Sequence, residues 1–416
     1  MAPCRKAKAT FIVCMFLVFA FQEIGEAAEW SVSPSISARR DYDDNIQLST
    51  KPQDSVKSTW VVPKLDFGIA SDIWKVDGGA EFAARRFSTH DELDSDSQSY
   101  TLGYSYMTER SILQLNALSS KISYLAGPKT SPDIGLFTQN TNTDTKAFSP
   151  SWTWSMTELT RLQLTYSKSD VSYVNGESVG LFDYGNSSLS AKLSNQFDID
   201  TQIFLLPGYS IFRVPGTSTE SKTTSFHAGI TRTFSETMNG TFTIGGRSTS
   251  GESQVSVCTL FLLGVCQQTV QETMSGRDSS RLYSVNLEKQ FETVHLTAAA
   301  GRSFDPSGGG QQVITDYVSF NLSRPFTAKL TGYLDADGNN YNYRINSQTA
   351  GVSTANNDFR LYHVGPYLRW QTAPEWNLEG GYRYTYIRRE SETTAATSNV
   401  VYLTLAYQWP KISISR

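Results

Sequence analysis

The residues that could carry chemistry in this 416-residue sequence lie far apart and form no recognisable reaction centre. Two glycine-rich stretches, Gly301-Arg302-Ser303 and Gly308-Gly309-Gly310, are not followed by a helical pattern, so they do not predict phosphate-binding loops. No pairing of a serine nucleophile with a histidine base can be recognised. The four histidines have none of the spacings of a metal site; they are His90, His227, His295 and His363. The sequence therefore predicts no enzyme, no metal site and no cofactor.

Asp43, Asp44 and Asn45 form a compact group of carboxylate and amide oxygens. Such oxygens bind calcium, and acidic external loops could complete a site. The same residue types also cap a strand by folding their side chains back onto the backbone in an Asx-turn. The turn is the commoner use of such a trio, so we expect a turn and keep a calcium site as the alternative.

The first 28 residues have the pattern of a secretory signal peptide. Basic residues between Arg5 and Lys8 precede the apolar run Phe11–Phe21, and small residues near Ala27 suit a cleavage site. The apolar run is too short for a stable membrane-spanning helix. We therefore expect an exported protein and exclude this segment from the fold.

Cys258 and Cys266 are the cysteines that remain once the predicted signal peptide is removed. An isolated close pair in an exported chain predicts a disulfide. Both cysteines lie in the longest predicted connection, Ser250–Ser279, and the segment between them, Thr259–Val265, is unusually apolar for a loop. We expect the disulfide to staple a β-ribbon in an external loop. The alternative is that the apolar tip folds into a channel mouth or contacts a partner.

The elements that must position these residues are β-strands, because apolar and polar residues alternate along most of the chain after Glu29. In the neighbouring segments Thr59–Ala70 and Ile73–Phe87, one face carries the charged residues and the other carries apolar residues. The last such segment is Val400–Trp409, whose odd-numbered residues form one apolar face that ends in two aromatic residues. This segment is predicted to be the closing strand of a barrel.

The connections between the predicted strands alternate in length. Short turns follow the even-numbered strands and longer loops follow the odd-numbered ones, as in outer-membrane barrels with both termini in the periplasm. We therefore predict an all-β fold, a transmembrane antiparallel up-and-down β-barrel of about 18 strands (roughly 16–18), formed by residues 29–416 as a single domain. A β-propeller or two sandwiches could hold as many strands, but neither predicts this strict alternation.

Composition favours membrane-spanning strands over membrane-spanning helices. Mean hydropathy is −0.34, and no apolar run after the N-terminus approaches the roughly 20 residues that a spanning helix needs. Porin strands escape detection by hydropathy because half of their residues face a polar lumen. The net charge of −4 gives nucleic-acid binding no support.

Alternation also predicts which residues face the lumen and which lie at the membrane interfaces. The residues expected to line the lumen are Lys64, Asp66, Lys75, Asp77, Glu81, Arg85, Lys192, Arg247, Glu288, Lys329, Asp335, Arg369, Glu379, Arg383, Tyr317, Tyr333 and Tyr367. The aromatic residues expected in the interfacial girdles are Trp74, Tyr100, Tyr106, Trp370, Trp376, Tyr386, Tyr407 and Trp409. Mixed charge in the lumen set argues against a strongly ion-selective ring. The three tyrosines could stack on sugar rings, although space filling is the simpler interpretation.

Trp30–Ser49, with the sequence WSVSPSISARRDYDDNIQLS, resembles the start of the beta-barrel porin 2 family of outer-membrane proteins. Members commonly open with a strand followed by an aromatic-Asp-Asn-Ile-type motif, which Tyr42–Ile46 matches here. The units Tyr106–Ala117 and Tyr402–Trp409 are also similar to those of the family. The sequence departs from the pattern at Pro410–Arg416, which follows the aromatic residue on which such barrels usually end.

The resemblance implies a function, because many members accompany machinery for exopolysaccharide synthesis and export. We therefore expect a water-filled outer-membrane porin that serves as an exit pore for exopolysaccharide or capsular polysaccharide. One alternative is a general or small-solute (sugar) diffusion porin, and another is an outer-membrane enzyme or structural barrel. The expected partners are outer-membrane lipid, a polysaccharide chain and periplasmic export components, without nucleic acid; the sequence does not predict the oligomeric state.

Overall fold

The computed structural model describes residues 28–51, 55–123, 141–176, 180–262, 265–343 and 358–415. Within these ranges, the side chains of residues 253–274 and 415 are outside the description. The predicted signal peptide, apart from Ala28, and the predicted Cys258–Cys266 disulfide therefore lie outside the described residues. Among the described residues, no helix is long and apolar enough to cross a membrane.

The described chain consists almost entirely of β-strands. They are β1 (Glu29–Asp43), β2 (Val56–Ala70), β3 (Trp74–Phe87), β4 (Ser95–Met107), β5 (Ser111–Ser123), β6 (Asn142–Ser155), β7 (Thr160–Tyr173), β8 (Tyr184–Gln196), β9 (Thr201–Val214), β10 (Thr219–Ser235), β11 (Met238–Leu262), β12 (Val265–Gln290), β13 (His295–Pro306), β14 (Gln312–Pro325), β15 (Leu330–Tyr343), β16 (Phe359–Ala373), β17 (Trp376–Arg389), β18 (Ala396–Gln408) and β19 (Ile412–Ser415). Two short 3-10 turns, Asp91–Leu93 and Pro215–Thr217, interrupt the connections.

Each strand from β1 to β18 pairs antiparallel with its neighbour in sequence, and β18 returns to β1. The closing register sets Ile36 opposite Tyr407 and Arg39 opposite Thr404. Closure pairs the backbone donors and acceptors of every strand, which a sheet in lipid requires. The 18-strand antiparallel barrel confirms the predicted fold class. The short strand β19 extends the same seam, because Ile412 pairs with Val32 on β1.

The outward face of the barrel carries an apolar band. Val401 and Leu403 of β18 point outward with 55% of their surface exposed, and Leu405 with 43%. In β1–β3 and β16–β18, the charged outward residues lie near the ends of the strands. Aromatic residues border the band at both ends, including Trp30, Trp74, Tyr106, Trp370, Trp376 and Trp409 at the short-turn end, and Tyr100, Tyr362 and Tyr386 at the loop end. Such girdles mark the two interfaces of a membrane.

The short turns are closed by side chains at their first positions. The Thr157 hydroxyl accepts hydrogen bonds from the Leu159 and Thr160 backbone N–H groups at 3.2 and 2.9 Å. The Asp198 carboxylate accepts the Asp200 N–H at 2.8 Å, and this hydrogen bond lowers the pKa of Asp198. Ser, Thr and Asp favour such turns because their short side chains reach the backbone two or three residues on.

The predicted connection Ser250–Ser279 contains the expected β-ribbon, because β11 and β12 stay paired out to Leu262 and Val265, with register shifts after Cys258 and after Leu260. Another prediction, about Lys329, is wrong in detail. Lys329 lies in the turn before β15 rather than in a strand, since Thr327 closes that turn through its hydroxyl.

Candidate channel

The register places the residues predicted to line the lumen on the inward face of the sheet, apart from Lys329 in its turn. Lys64 lies opposite Glu81, Gly68 lies opposite Asp77, and Arg369 lies opposite Glu379. The other predicted residues share the parity of these pairs along their strands. Their role in conducting a solute stays a prediction.

Two arcs of the inward face differ in their chemistry. From β4 to β10, the inward residues are mostly Ser, Thr, Asn and Gln, and in the described strands only Arg161 and Lys192 among them are charged. Hydroxyls on neighbouring strands bond to each other, as Ser167 and Ser188 do at 2.8 Å. We call β4–β10 the hydroxyl arc. Such a wall offers many weak hydrogen-bonding partners and little net charge.

The opposite arc, from β15 to β3, carries aromatic residues and ion pairs. The Tyr333 and Tyr367 rings stack with centroids 4.6 Å apart and planes inclined by 7°. The Arg369 guanidinium lies 5.2 Å from the centre of the Tyr333 ring. Arg369 also donates two hydrogen bonds to Glu379, at 3.0 and 2.8 Å. Because the two rings cover each other, stacking within the protein supports the space-filling interpretation of these tyrosines.

This charged arc continues across the seam between β18 and β1. The Tyr402 hydroxyl donates to Glu379 at 3.2 Å, and the Arg39 guanidinium lies 4.0 Å from the centre of the Tyr402 ring. Arg39 in turn donates to Asp41, whose side chain is only 3% exposed. Arg85 approaches the other Asp41 oxygen at 3.7 Å. The sequence predicted Arg85 to line the lumen, but it is buried against neighbouring aromatic rings at the loop end.

The loop after β7 and the loop after β13 meet each other across the mouth of the barrel. The Phe182 N–H donates a 2.7 Å hydrogen bond to the Gly308 carbonyl. A Cβ atom at Gly308 would collide with the Tyr173 phenol, so only glycine permits this approach. Gly310, with φ +77°, lies against the Phe182 ring. We call this contact the mouth bridge; it leaves six strands of the rim, β8–β13, on one side and twelve on the other.

The loop after β1 folds over the inward face of β14–β18. Leu48 is 2% exposed and packs among Val313, Tyr341, Phe359 and other buried residues of these strands. Arg389 holds the loop by donating a 3.0 Å hydrogen bond to the Leu48 carbonyl. Two further apolar clusters lie at the loop ends of β2–β3 and β7. Loop segments therefore cover parts of the inner wall at the mouth.

The Asp43-Asp44-Asn45 trio attaches that loop to the barrel seam. The Asp43 carboxylate accepts the Asn45 backbone N–H at 2.9 Å, which is an Asx-turn, and accepts the Ser398 hydroxyl at 2.9 Å. Asp44 accepts both the backbone and the side-chain N–H of Asn399, each at 2.7 Å. We call these contacts the seam clamp. Among the described residues, no group of three or more His, Cys, Asp or Glu could hold a metal ion.

Two further carboxylates on the loop side of the barrel, Asp358 and Asp337, have structural partners. Asp358, just before β16, accepts the Tyr343 N–H at 2.7 Å, and burial raises the pKa of its carboxyl. On the inner wall, Asp337 Oδ1 lies 3.2 Å from His363 Nδ1. The other histidines, His90, His227 and His295, lie in a loop, on β10 and at the start of β13 respectively. The sequence did not predict that Phe182 and Leu48 would hold loops at the mouth. The only signals for such a role were an apolar residue in a polar loop and a neighbouring run of glycines.

The fold and its outward band together define a transmembrane β-barrel of the porin type, with a polar inner wall. No family model matches the chain, and no curated protein matches it. Among solved structures, OccAB4 of Acinetobacter baumannii is similar with a TM-score of 0.46 and 8% identity, covering 92% of this chain and 98% of that one. OccK9 (OpdG) of Pseudomonas aeruginosa has a TM-score of 0.46 and 11% identity, with coverages of 92% and 98%.

A third similar structure is OpdO of Pseudomonas aeruginosa, with a TM-score of 0.45, 12% identity and coverages of 91% and 97%. At these identities and TM-scores, the similarity carries no argument about what the barrel transports. The fold assignment rests on the strand order and register of this chain itself. Since no family model matches, the resemblance to the beta-barrel porin 2 family stays a prediction.

Proposed function

We propose that the protein is an outer-membrane porin through which small hydrophilic solutes, including uncharged sugars, diffuse. The mouth bridge is the observation that carries this proposal, because it divides the opening of a barrel that would otherwise be wide. Eighteen strands enclose an aqueous interior rather than a packed core. The loop after β1, anchored by Leu48, covers part of the wall and narrows the opening further. These features suit small solutes better than a bulky polymer.

The chemistry of the inner wall supports the same solute class. The hydroxyl arc offers many neutral donors and acceptors, so a sugar can exchange hydrogen bonds with water for hydrogen bonds with the wall. Conduction needs such binding to be weak and repeated rather than tight. On the charged arc, cations are held beside carboxylates, as in the Lys64–Asp66 pair at 2.9 Å and the Lys75–Asp77 pair at 3.2 Å. Those pairs give a permeating ion little net attraction.

Swelling of liposomes that contain the purified protein tests the proposal with sugars of increasing size. We expect small sugars to enter and a sharp loss of rate at larger sizes. Phe182→Ala combined with deletion of Gly308-Gly309-Gly310 should raise both the size limit and the single-channel conductance, because the mouth bridge is removed. The matched control is Arg388→Gln, an exposed outward residue at the same rim, which should change neither. A wild-type barrel that admits no sugar and conducts no ions would refute the porin proposal.

The exit of exopolysaccharide is the second candidate function. Its support is the resemblance of Trp30–Ser49 to an export-associated family, together with the hydroxyl arc, which could accept a sliding polymer as readily as a single sugar. Deletion of the gene should then abolish the secreted polymer, and the polymer should block single-channel currents. Unchanged secretion would remove this candidate while leaving the small-solute porin intact.

A further inference from the structure

A short sequence pattern repeats at the short-turn ends of alternate strands. It consists of a cation, any residue and a phenylalanine, and it occurs as Arg232-Thr-Phe234, Lys289-Gln-Phe291 and Arg324-Pro-Phe326. These sites end β10, β12 and β14. The three cations face outward, since they share the parity of the outward residues on their strands. The pattern therefore places three positive charges at one boundary of the apolar band.

Each cation lies beside the ring of its own phenylalanine. The distances from the cationic centre to the ring centre are 6.0 Å for Arg232, 5.6 Å for Lys289 and 5.7 Å for Arg324. The rings stay exposed, with 48% of the surface of Phe234 and 54% of that of Phe326 accessible. Lys289 donates a 2.8 Å hydrogen bond to the neutral Thr237 hydroxyl, and Arg232 interacts electrostatically with Asp198 in the adjacent turn. Aromatic rings and cations at this depth lie at the level of lipid headgroups.

A hollow in the outward wall begins at Arg324. It is lined by Arg324, Phe326, Leu322 and Leu368, and it is deepened by two outward glycines, Gly332 and Gly380, which supply no side chain. A Cβ atom at Gly332 would lie 2.5 Å from the Phe326 ring, so glycine allows this ring to approach β15 closely. The hollow is apolar along the band and positively charged at its short-turn end. An acyl chain joined to an anionic headgroup has that same arrangement.

We propose that this face binds an anionic glycerophospholipid of the leaflet at the short turns, with its phosphate on Arg324 and an acyl chain in the hollow. Lys289 and Arg232 extend the positive belt to neighbouring headgroups. Basic residues beside a membrane surface attract anionic lipids, and each contributes about a fivefold gain in binding. The site lies on the outer wall, and the inward residues Tyr333 and Tyr367 also contribute to the lining of the hollow.

Native mass spectrometry of the full-length barrel in detergent tests the site with phosphatidylglycerol and phosphatidylcholine as probes. We expect retention of phosphatidylglycerol and little retention of phosphatidylcholine. Arg324→Gln should weaken the retention of phosphatidylglycerol about fivefold, and Gly380→Leu should also weaken it by filling the hollow. A Cβ at Gly380 makes only ordinary contacts, the nearest at 3.5 Å, so a side chain there fits the backbone.

The matched control is Arg388→Gln, which removes an outward arginine at the opposite rim and should leave the retention unchanged. Heat-dependent gel mobility shows that each variant is a folded barrel. Equal retention of both lipids by the wild type, or unchanged retention in Arg324→Gln, would overturn the proposal. The proposal would also be overturned if a second copy of the chain covered this face and no lipid bound. That outcome would appear as an oligomer in the same spectra.

Discussion

Asp41 shows at the scale of one residue how this barrel tolerates charge away from water. Its carboxylate is 3% exposed and is shared by Arg39 and Arg85. Arg85 is held in turn by the Ser58 hydroxyl at 3.0 Å and lies 4.4 Å from the centre of the Trp60 ring. Removing one member of a buried ionic group leaves the charges of the other members uncompensated. The group is therefore a point of vulnerability at the loop end of the seam.

Asp41→Asn should lower the free energy of unfolding by about 3–5 kcal/mol, because the buried Arg85 and the partly buried Arg39 lose their shared counter-charge. Urea unfolding, followed by the gel mobility of the folded barrel, measures the change. Asp77→Asn is the control, since the Lys75–Asp77 pair is 56% exposed on both sides and should contribute little. Equal stability of the two variants would contradict the role assigned to the buried group.

The sequence predicted the facing of individual strands because lipid imposes a period-2 pattern on them. Val401, Leu403 and Leu405 alternate with Tyr402 and Thr404, and the register places the two sets on opposite faces. The same logic failed at Lys329, where a threonine-closed turn has the same local alternation as a strand. β11 and β12 also stay paired beyond the rim of the barrel. Such pairing depends on contacts between the two strands, which the sequence of one strand does not predict.

At the scale of a single strand, Leu403→Arg and Leu405→Arg should each prevent stable insertion of the barrel into the membrane. An arginine on the lipid face near the middle of the membrane costs about 2–4 kcal/mol. Thr404→Lys, at the intervening position, places its charge in the aqueous interior and should insert normally. Insertion into liposomes, scored by protection from added protease, compares the three variants. Insertion to the same extent on both faces would be incompatible with the assigned register.

The arrangement of the loops at the scale of the whole molecule could not be predicted from the sequence. The alternation of strands predicted a wide tube, whereas the mouth bridge depends on Phe182 meeting Gly308, a contact between segments about a third of the rim apart. No local pattern encodes such a contact. The glycine run at Gly308–Gly310 was visible, but its reason, a close approach to Tyr173 and Phe182, appears only in three dimensions.

The channel as a whole should select only weakly between anions and cations. Most of its charged groups lie beside an opposite charge, as in the Lys64–Asp66 and Arg369–Glu379 pairs, and the hydroxyl arc adds only Arg161 and Lys192. We expect a reversal potential close to zero in a gradient of potassium chloride. Glu379→Gln should move the potential toward anion preference, because Arg369 is then unopposed. A strong preference in the wild-type channel would contradict this description of the wall.

The seam clamp has a consequence for the time course of assembly. Asp44 and Asn399 are separated by 355 residues along the chain, so the contact between them is among the most costly in loop-closure entropy and should form late. Once formed, the junction is secured at one end by the clamp and at the other by β19 on β1. Opening it would expose unpaired backbone on both strands to lipid. We therefore expect a slow opening of this junction to set the lifetime of the folded barrel, so that persistence in the membrane depends on kinetics as well as on equilibrium.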